Sequence, residues 1–212
     1  MKSTLLLLVT SLLMGAVYGT AVFAAGAQAT VAPSGQVMTA KQGGGNDPLL
    51  TGDLHLKSAS GPFSFQALRG NIVVMFFGYT HCPDVCPRDM SIIARAFGQF
   101  DAKQQARLRG VFVSLDPARD DAKTLKDFAQ YFNPHFVGVT GSQQDIDALA
   151  KRYGIHYKKV PVPGSDGEYS IEHTATIYIL DGQGRVSFIM PNGISDMALQ
   201  QAIQFLLDEQ HG

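Results

Sequence analysis

The chain has 212 residues, of which 45% are hydrophobic and 17% are charged, and this composition predicts one globular domain with a sizeable core and an N-terminal extension. Its formal net charge of -1 provides no basic surface for a nucleic acid, so nucleic-acid binding is excluded as its main role. The only two cysteines are Cys82 and Cys86, and their short spacing makes them the first candidates for chemistry.

The first 29 residues form a separate segment. An apolar stretch from Leu5 to Ala25 follows Lys2 and ends in a run of small residues. Two interpretations are open, a signal peptide cleaved at an Ala-x-Ala site such as Ala27-Gln28-Ala29 or an uncleaved membrane anchor. Both predict export to the periplasmic face or an equivalent oxidising compartment, with the domain membrane-anchored or soluble after cleavage.

Residues 30–50 are rich in Gly, Ala, Ser, Thr and Gln and lack periodic hydrophobic residues, which predicts a flexible linker. Residues 51–212 are then expected to form the folded domain. From Leu54 onward the sequence shows short strand patterns and amphipathic helix patterns.

A turn between a strand and a helix holds both cysteines. The apolar run from Ile72 to Phe77 predicts a buried strand that breaks at Gly78, and a helix is predicted to begin near Pro87. Helix N-terminal amides favour a thiolate, so reactive thiols are plausible here. The Cys-x-x-x-Cys spacing suits a disulfide or a two-thiolate metal clamp. A structural disulfide remains an alternative, although a bridge across three residues stabilises a fold least.

Strands and helices alternate after this turn. Strands are predicted at 111–115, 136–139, 176–180 and 186–189, and apolar helix faces at 90–100, 122–132, 146–153 and 199–206. Ser142 with Asp145 resembles a capping box at the start of one helix. This order predicts an α/β, thioredoxin-like fold, a central mixed sheet flanked by helices, with an extra loop or hairpin within 154–172 before the last strand pair.

In such a sheet, His173 lies across from the cysteine turn and is placed to complete a three-ligand site with Cys82 and Cys86. Two thiolates and an imidazole suit copper, as Cu(I) or Cu(II), whereas structural zinc usually takes four protein ligands. The sequence therefore favours copper.

Neighbouring residues have a functional and a structural interpretation each. His81 is either a spare ligand or a side chain that points away from the thiols. Asp116 either orients the histidine and shifts thiol acidity, or is a turn residue. Tyr79 either lines the site or is a packed aromatic, and Asp84 is expected to cap the helix rather than bind metal.

Three motifs in order resemble the SCO/SenC family over about residues 50 to 210. They are Phe77-Gly-Tyr-Thr-His-Cys82-Pro-Asp-Val-Cys86-Pro, then Val113-Ser-Leu-Asp-Pro117-Ala-Arg-Asp120, then His173 with Tyr178-Ile-Leu-Asp181. The resemblance implies an exported or membrane-tethered thioredoxin-fold metallochaperone that binds copper through Cys82, Cys86 and His173. It also implies assembly of the CuA centre of cytochrome c oxidase, with the copper-bearing oxidase subunit as partner and another copper chaperone or a thiol reductase as donor.

Two hypotheses follow, and they leave open whether the protein is an enzyme. In the first it is a copper-binding assembly factor and not an enzyme. In the second, Cys82 and Cys86 are a catalytic redox pair of a thiol-disulfide oxidoreductase that reduces the cysteines of the oxidase copper site or of other exported proteins. A peroxidase is a weaker third alternative, because the sequence provides no further resolving thiol.

Overall fold

The computed structural model describes residues 38–39 and 54–210, all within one compact unit. The predicted N-terminal segment 1–29 lies outside the described residues, as does the predicted linker apart from residues 38–39. Among the residues described, no helix combines the length and the apolar character needed to cross a membrane.

Strands and helices alternate through most of the described chain. The strands are β1 Met38–Thr39, β2 Leu56–Ser58, β3 Gly61–Phe63, β4 Ile72–Gly78, β5 Leu108–Ser114, β6 Phe136–Val139, β7 Tyr157–Pro161, β8 Tyr169–His173, β9 Thr176–Leu180 and β10 Val186–Pro191. The helices are α1 Val85–Phe97, α2 Ala102–Gln105, α3 Ala122–Phe132, α4 Gln143–Arg152 and α5 Asp196–Glu209, with a 3-10 turn at Phe65–Leu68.

Six strands form one mixed sheet in the order β1-β10-β9-β4-β5-β6. The strands β4, β5 and β6 are parallel, whereas β9 pairs antiparallel with β4 and β10 pairs antiparallel with β9. The hairpins β2–β3 and β7–β8 each form a separate two-stranded sheet. This architecture agrees with the predicted mixed sheet flanked by helices.

Strand β4 is central and buries every residue, which explains its continuous apolar sequence. Phe76 and alternate residues of the strand pack on one face of the sheet with α1, α3 and α5. Met75 and Phe77 pack on the other face with α4. The sheet therefore has a hydrophobic core on each side, and β4 carries the cysteine turn out of the middle of the domain.

The segment 154–172, predicted as an extra loop or hairpin, forms the β7–β8 hairpin. Strand β7 pairs antiparallel with β8, so that Tyr157 lies opposite His173 and Pro161 lies opposite Tyr169. The hairpin alternative is therefore confirmed, and the expectation of an irregular segment is wrong. Because the segment is a hairpin, His173 is the last residue of strand β8 and not part of a loop.

Candidate metal centre

The two cysteines lie where β4 ends and α1 begins. Cys86 is the second residue of α1 and is fully buried, whereas Cys82 precedes the helix and is half-buried. Both are free thiols. The helix begins at Val85, two residues before the predicted start. Pro87 is still accommodated, because the N–H groups of a first helical turn have no partner inside the helix.

The Cys82 sulfur acts as the acceptor at the start of α1. The Cys86 N–H donates to Cys82 Sγ over 3.4 Å. Asp84 occupies the N-cap position, but its side chain makes no capping hydrogen bond, which corrects the expectation that it caps the helix. A sulfur that accepts from helix N-terminal amides is stabilised as a thiolate.

The two thiols differ in acidity. A hydrogen bond from the Cys86 thiol lowers the pKa of Cys82, and the His173 ring and the amides of Cys86 and Asp84 lower that pKa further. The same interaction with Cys82, together with burial, raises the pKa of Cys86. Cys82 is therefore the thiolate at neutral pH, and Cys86 keeps its proton.

His173 faces the cysteine turn from the end of β8. Its Nε2 lies 3.7 Å from Cys86 Sγ. Its ring also lies at an edge-to-face angle to the rings of Phe76 and Tyr79, with centroid distances of 6.1 Å and 6.3 Å. The structure thus brings together the three residues that the sequence singled out.

A backbone contact sets the tautomer of His173. The Nδ1 atom lies 3.1 Å from the Thr174 carbonyl oxygen, which can only accept a hydrogen bond. Nδ1 therefore carries a proton, and Nε2 is the ring nitrogen that faces Cys86. Histidine ligands commonly bind metals in this way, with the other ring nitrogen bonded to a carbonyl.

The donor set fits copper by its chemistry, since two thiolates and one imidazole form a soft ligand set. Within the described part of the chain, no three Cys, His, Asp or Glu side chains are already spaced to hold a metal ion together. The Cys86 thiol instead hydrogen-bonds to Cys82. A copper ion would have to replace this contact between the two sulfurs and displace the Cys86 proton.

Asp116 is fully buried, but the contacts found for it lie away from His173. Its carboxylate accepts hydrogen bonds from Arg119 and from the Tyr169 hydroxyl, the latter at 2.7 Å, and lies 3.6 Å from the Lys159 ammonium. Its carbonyl also closes the turn to Asp120 at 2.9 Å. Asp116 is therefore a turn residue that also anchors the β7–β8 hairpin.

His81 points toward a different carboxylate. Its side chain is 54% exposed, and its Nδ1 lies 3.6 Å from Asp120 Oδ1 and 3.2 Å from the Thr80 hydroxyl. The buried Asp120 also accepts hydrogen bonds from Thr80 and Ser114. These contacts favour the structural interpretation of His81.

Tyr79 both packs and lines the site. It is 3% exposed, and burial raises the pKa of its phenol, which the charge of Cys82 and a hydrogen bond to Cys82 raise further.

Asp89 is a residue near the site that the sequence analysis missed. It is fully buried one helical turn after Cys86, and its Oδ1 accepts the Gly193 N–H at 3.2 Å. Burial raises the pKa of this carboxyl group. The sequence feature that could have identified Asp89 is an acidic residue next to Met90, on the apolar face of α1.

Similar sequences and structures exist among known proteins. The SCO1/SenC family model matches residues 45–208. A protein of Stutzerimonas stutzeri is 32% identical over 149 residues, which are 70% of this chain and 72% of that protein. Other relatives include a Bacillus anthracis lipoprotein and mitochondrial SCO proteins, and the chain spans about half the length of the mitochondrial ones.

Two solved structures illustrate the likeness in fold. Bradyrhizobium japonicum ScoI with copper bound is 32% identical, with a TM-score of 0.63 over 73% of this chain and 98% of that chain. BsSco, a member of the Sco family of cytochrome c oxidase assembly proteins, is 21% identical, with a TM-score of 0.54 over 71% of this chain and 89% of that chain. The second likeness shows the fold alone, and together they confirm the predicted thioredoxin-like class.

Proposed function

Because this chain belongs to the SCO1/SenC family, we propose that it binds copper through Cys82, Cys86 and His173 and passes it to the copper-bearing subunit of cytochrome c oxidase during assembly of the CuA centre. Copper is then its cargo. The copper-bound ScoI structure supports the choice of metal, and the choice of partner is what the resemblance of the cysteine and histidine motifs to this family implies.

The observation that carries the proposal is the approach of His173 to the cysteine turn. Its Nε2 lies 3.7 Å from Cys86 Sγ, while Nδ1 is held by the Thr174 carbonyl. A dithiol exchange pair needs no imidazole from a hairpin 87 residues further along the chain. A three-coordinate copper site, by contrast, uses that imidazole as its third donor.

The test is a copper titration of the reduced protein, followed by ultraviolet-visible absorption. We expect one copper ion per chain with thiolate-to-copper charge-transfer bands. Replacing His173 with Ala should weaken copper binding at least about tenfold and alter the bands. Unchanged affinity and bands in His173→Ala would remove the histidine from the site.

His135→Ala is the matched control for that substitution. His135 is an exposed histidine whose backbone N–H donates to the Asn133 side-chain oxygen at 2.9 Å. We expect its replacement to leave the stoichiometry, the affinity and the spectrum unchanged. A similar loss of affinity in His135→Ala would mean that the titration responds to any lost imidazole.

A second candidate function, thiol-disulfide reduction, is favoured by the unequal acidity of the thiols. The Cys82 thiolate would attack a target disulfide and release one target thiolate. Cys86 would then lose its proton and attack the mixed disulfide, which releases the second target thiolate and leaves a Cys82–Cys86 disulfide. The target gains two electrons, and an external thiol reductant has to restore the protein.

Disulfide reduction by the His173→Ala variant separates the two candidates. We expect much of the dithiol exchange to survive this substitution, because exchange requires only the two sulfurs. No stoichiometric copper in the unmodified protein, together with rapid reduction of a disulfide substrate, would favour the reductase over the copper carrier.

We infer an exported location for the domain. The apolar segment 1–29 supports it, and so does the presence of mitochondrial proteins and a lipoprotein among the relatives. Fractionation of cells that produce the full chain tests this inference. Recovery of the protein in the cytoplasmic fraction would contradict it.

A further inference from the structure

The β7–β8 hairpin carries His173, yet neither of its strands pairs with the central sheet. The register of a sheet therefore does not fix the position of this hairpin. Only Thr174 and Ala175 separate His173 from β9, so the chain ties this end of the hairpin to the sheet, and side-chain contacts hold the rest of the hairpin against the domain.

Three side chains, of which Asp116 is fully buried, join the hairpin to the loop after β5. The Arg119 Nη1 donates to the Tyr169 carbonyl oxygen at 2.9 Å, and its guanidinium carbon lies 3.7 Å from the centre of the Tyr169 ring. The Arg119 Nε donates to Asp116, and the Tyr169 hydroxyl donates to the other Asp116 oxygen at 2.7 Å. We call Asp116, Arg119 and Tyr169 the Arg119 clamp.

Two sets of contacts connect the Arg119 clamp to His173. Along β8, side chains alternate between faces, so Tyr169, Ile171 and His173 share the face that meets the domain, and Ile171 is 4% exposed. Across the site, the Arg119 guanidinium lies 5.8 Å from the Tyr79 ring centre, and the Tyr79 ring lies 6.3 Å from the His173 ring. Arg119 therefore contacts neighbours of His173 on both sides.

We propose that Arg119 is a positioning residue for His173. Its planar guanidinium bonds to Asp116 and the Tyr169 carbonyl while stacking on the Tyr169 ring, and in this way it holds the hairpin so that Nε2 faces Cys86. A lysine keeps the charge but has neither the fork of donors nor the flat stacking surface. This inference rests on the proposed copper site, and it concerns only how that site is held.

The test compares Arg119→Lys with Arg185→Lys in the full chain. Arg185 is a matched control because it also pairs with a nearby carboxylate, Asp181, at 2.7 Å, but in the β9–β10 turn at the far end of β9. We expect Arg119→Lys to weaken Cu(I) binding about tenfold, the effect typical of losing a group that orients a ligand, and Arg185→Lys to leave it unchanged.

A double substitution shows whether Arg119 acts through His173. If it does, Arg119→Lys costs less than about twofold in copper affinity once His173→Ala is present, because coupled residues are not additive. A general loss of stability would lower copper affinity by the same factor in both backgrounds. The same tenfold loss in the His173→Ala background would therefore overturn the proposal.

A metal-free readout keeps this inference separate from the proposed function. In the reduced protein, ring currents of Phe76 and Tyr79, whose rings lie edge-to-face with His173, should shift the His173 ring protons, and NMR measures these shifts. We expect Arg119→Lys to move them toward values of a free histidine, with no change in Arg185→Lys. Unchanged His173 shifts in Arg119→Lys would overturn the positioning role, whether or not the protein binds copper.

Discussion

The two ends of strand β4 each have an arginine–aspartate pair nearby, but the settings differ. We call the carboxyl end, where the cysteine turn begins, the site end, and the β9–β10 turn beside the other end the turn end. At the turn end, Asp181 accepts hydrogen bonds from the backbone N–H groups of Gln183 and Arg185, which lie at most four residues further along the chain. At the site end, Asp116 bonds to Tyr169, which is 53 residues away.

This difference separates a local role from a long-range role. The Arg185 side chain is 59% exposed, and its ion pair with Asp181 lies within one turn. Exposed ion pairs of this kind contribute little to the free energy of unfolding. The Arg119 side chain is 25% exposed, its partner carboxylate is fully buried, and both residues also hydrogen-bond to Tyr169 of β8. The polar contacts at the site end therefore connect distant segments, whereas those at the turn end stay within one turn.

The largest effect that tests this comparison is loss of a thiol at the site end. We expect Cys86→Ser and Cys82→Ser each to lose stoichiometric copper binding, by more than about 100-fold, because a hydroxyl does not replace a thiolate as a soft ligand. Asp181→Asn at the turn end should bind copper normally. Copper titration of the three reduced variants measures this, and stoichiometric binding by either serine variant would break the comparison.

The next effect concerns the reactivity of the two thiols toward iodoacetamide. An ordinary thiol loses reactivity about tenfold for each pH unit below about 8.5, because its thiolate fraction falls. The lowered pKa of Cys82 keeps it a thiolate at lower pH, so its alkylation rate should stay nearly constant from about pH 8 to about pH 6.

The raised pKa of Cys86 and its burial predict the opposite behaviour for the second thiol. Cys86 should remain unmodified over the same pH range. Mass spectrometry of the alkylated peptides assigns each site. Equal pH profiles for the two cysteines would contradict the assignment of the thiolate to Cys82.

Two glycines sharpen the comparison further. Gly78 is the last residue of β4, and a Cβ there would lie 2.7 Å from Cys86 Sγ and 2.9 Å from the Phe112 ring. Gly78→Ala should therefore displace the thiol and destabilise the fold by about 1–3 kcal/mol. Gly184 at the turn end has a φ of 82°, and Gly184→Ala should cost about 1 kcal/mol through backbone strain.

Denaturant unfolding and copper titration together distinguish the two alanine variants. Both should be less stable than the unmodified protein, but only Gly78→Ala should also bind copper more weakly. Normal copper affinity in a folded Gly78→Ala variant would show that the close approach of Cys86 to the strand does not matter for the site.

The smallest effect concerns two helix caps. Asp84 makes no capping bond with its side chain, so Asp84→Ala should cost less than about 0.5 kcal/mol. The Ser195 hydroxyl accepts the Ala198 N–H at 3.2 Å at the start of α5, and Ser195→Ala should cost about 1 kcal/mol. Chemical denaturation compares them, and a larger loss in Asp84→Ala would contradict the capping role of the Cys82 sulfur.

Much of the fold was predictable because its strands and helices are strongly patterned. The apolar run in β4 and the helix face of α3 gave nearly correct boundaries, and Ser142 accepts the Asp145 N–H at the start of α4 as predicted. The three proposed ligands also followed from residue type and position.

The exact strands of the hairpin, which the sequence offered only as a loop or a hairpin, and the Arg119 clamp were not predictable from local patterns. Strand β7 contains Lys158, Lys159 and Pro161 and has no buried residue, so it lacks the apolar alternation that indicates a strand. The clamp residues Arg119 and Tyr169 lie 50 residues apart, and only folding brings them together. The Cys82 cap was missed because sequence rules assign capping to Asp, Asn, Ser and Thr side chains.

X-ray absorption at the copper edge of the loaded, reduced protein tests the central claim most directly, because it counts the donors around the metal. The account predicts two sulfur donors and one nitrogen donor per copper, and loss of the nitrogen donor in His173→Ala. Two sulfur donors with an unchanged nitrogen signal in that variant, or a single sulfur donor in the unmodified protein, would contradict a site made of Cys82, Cys86 and His173.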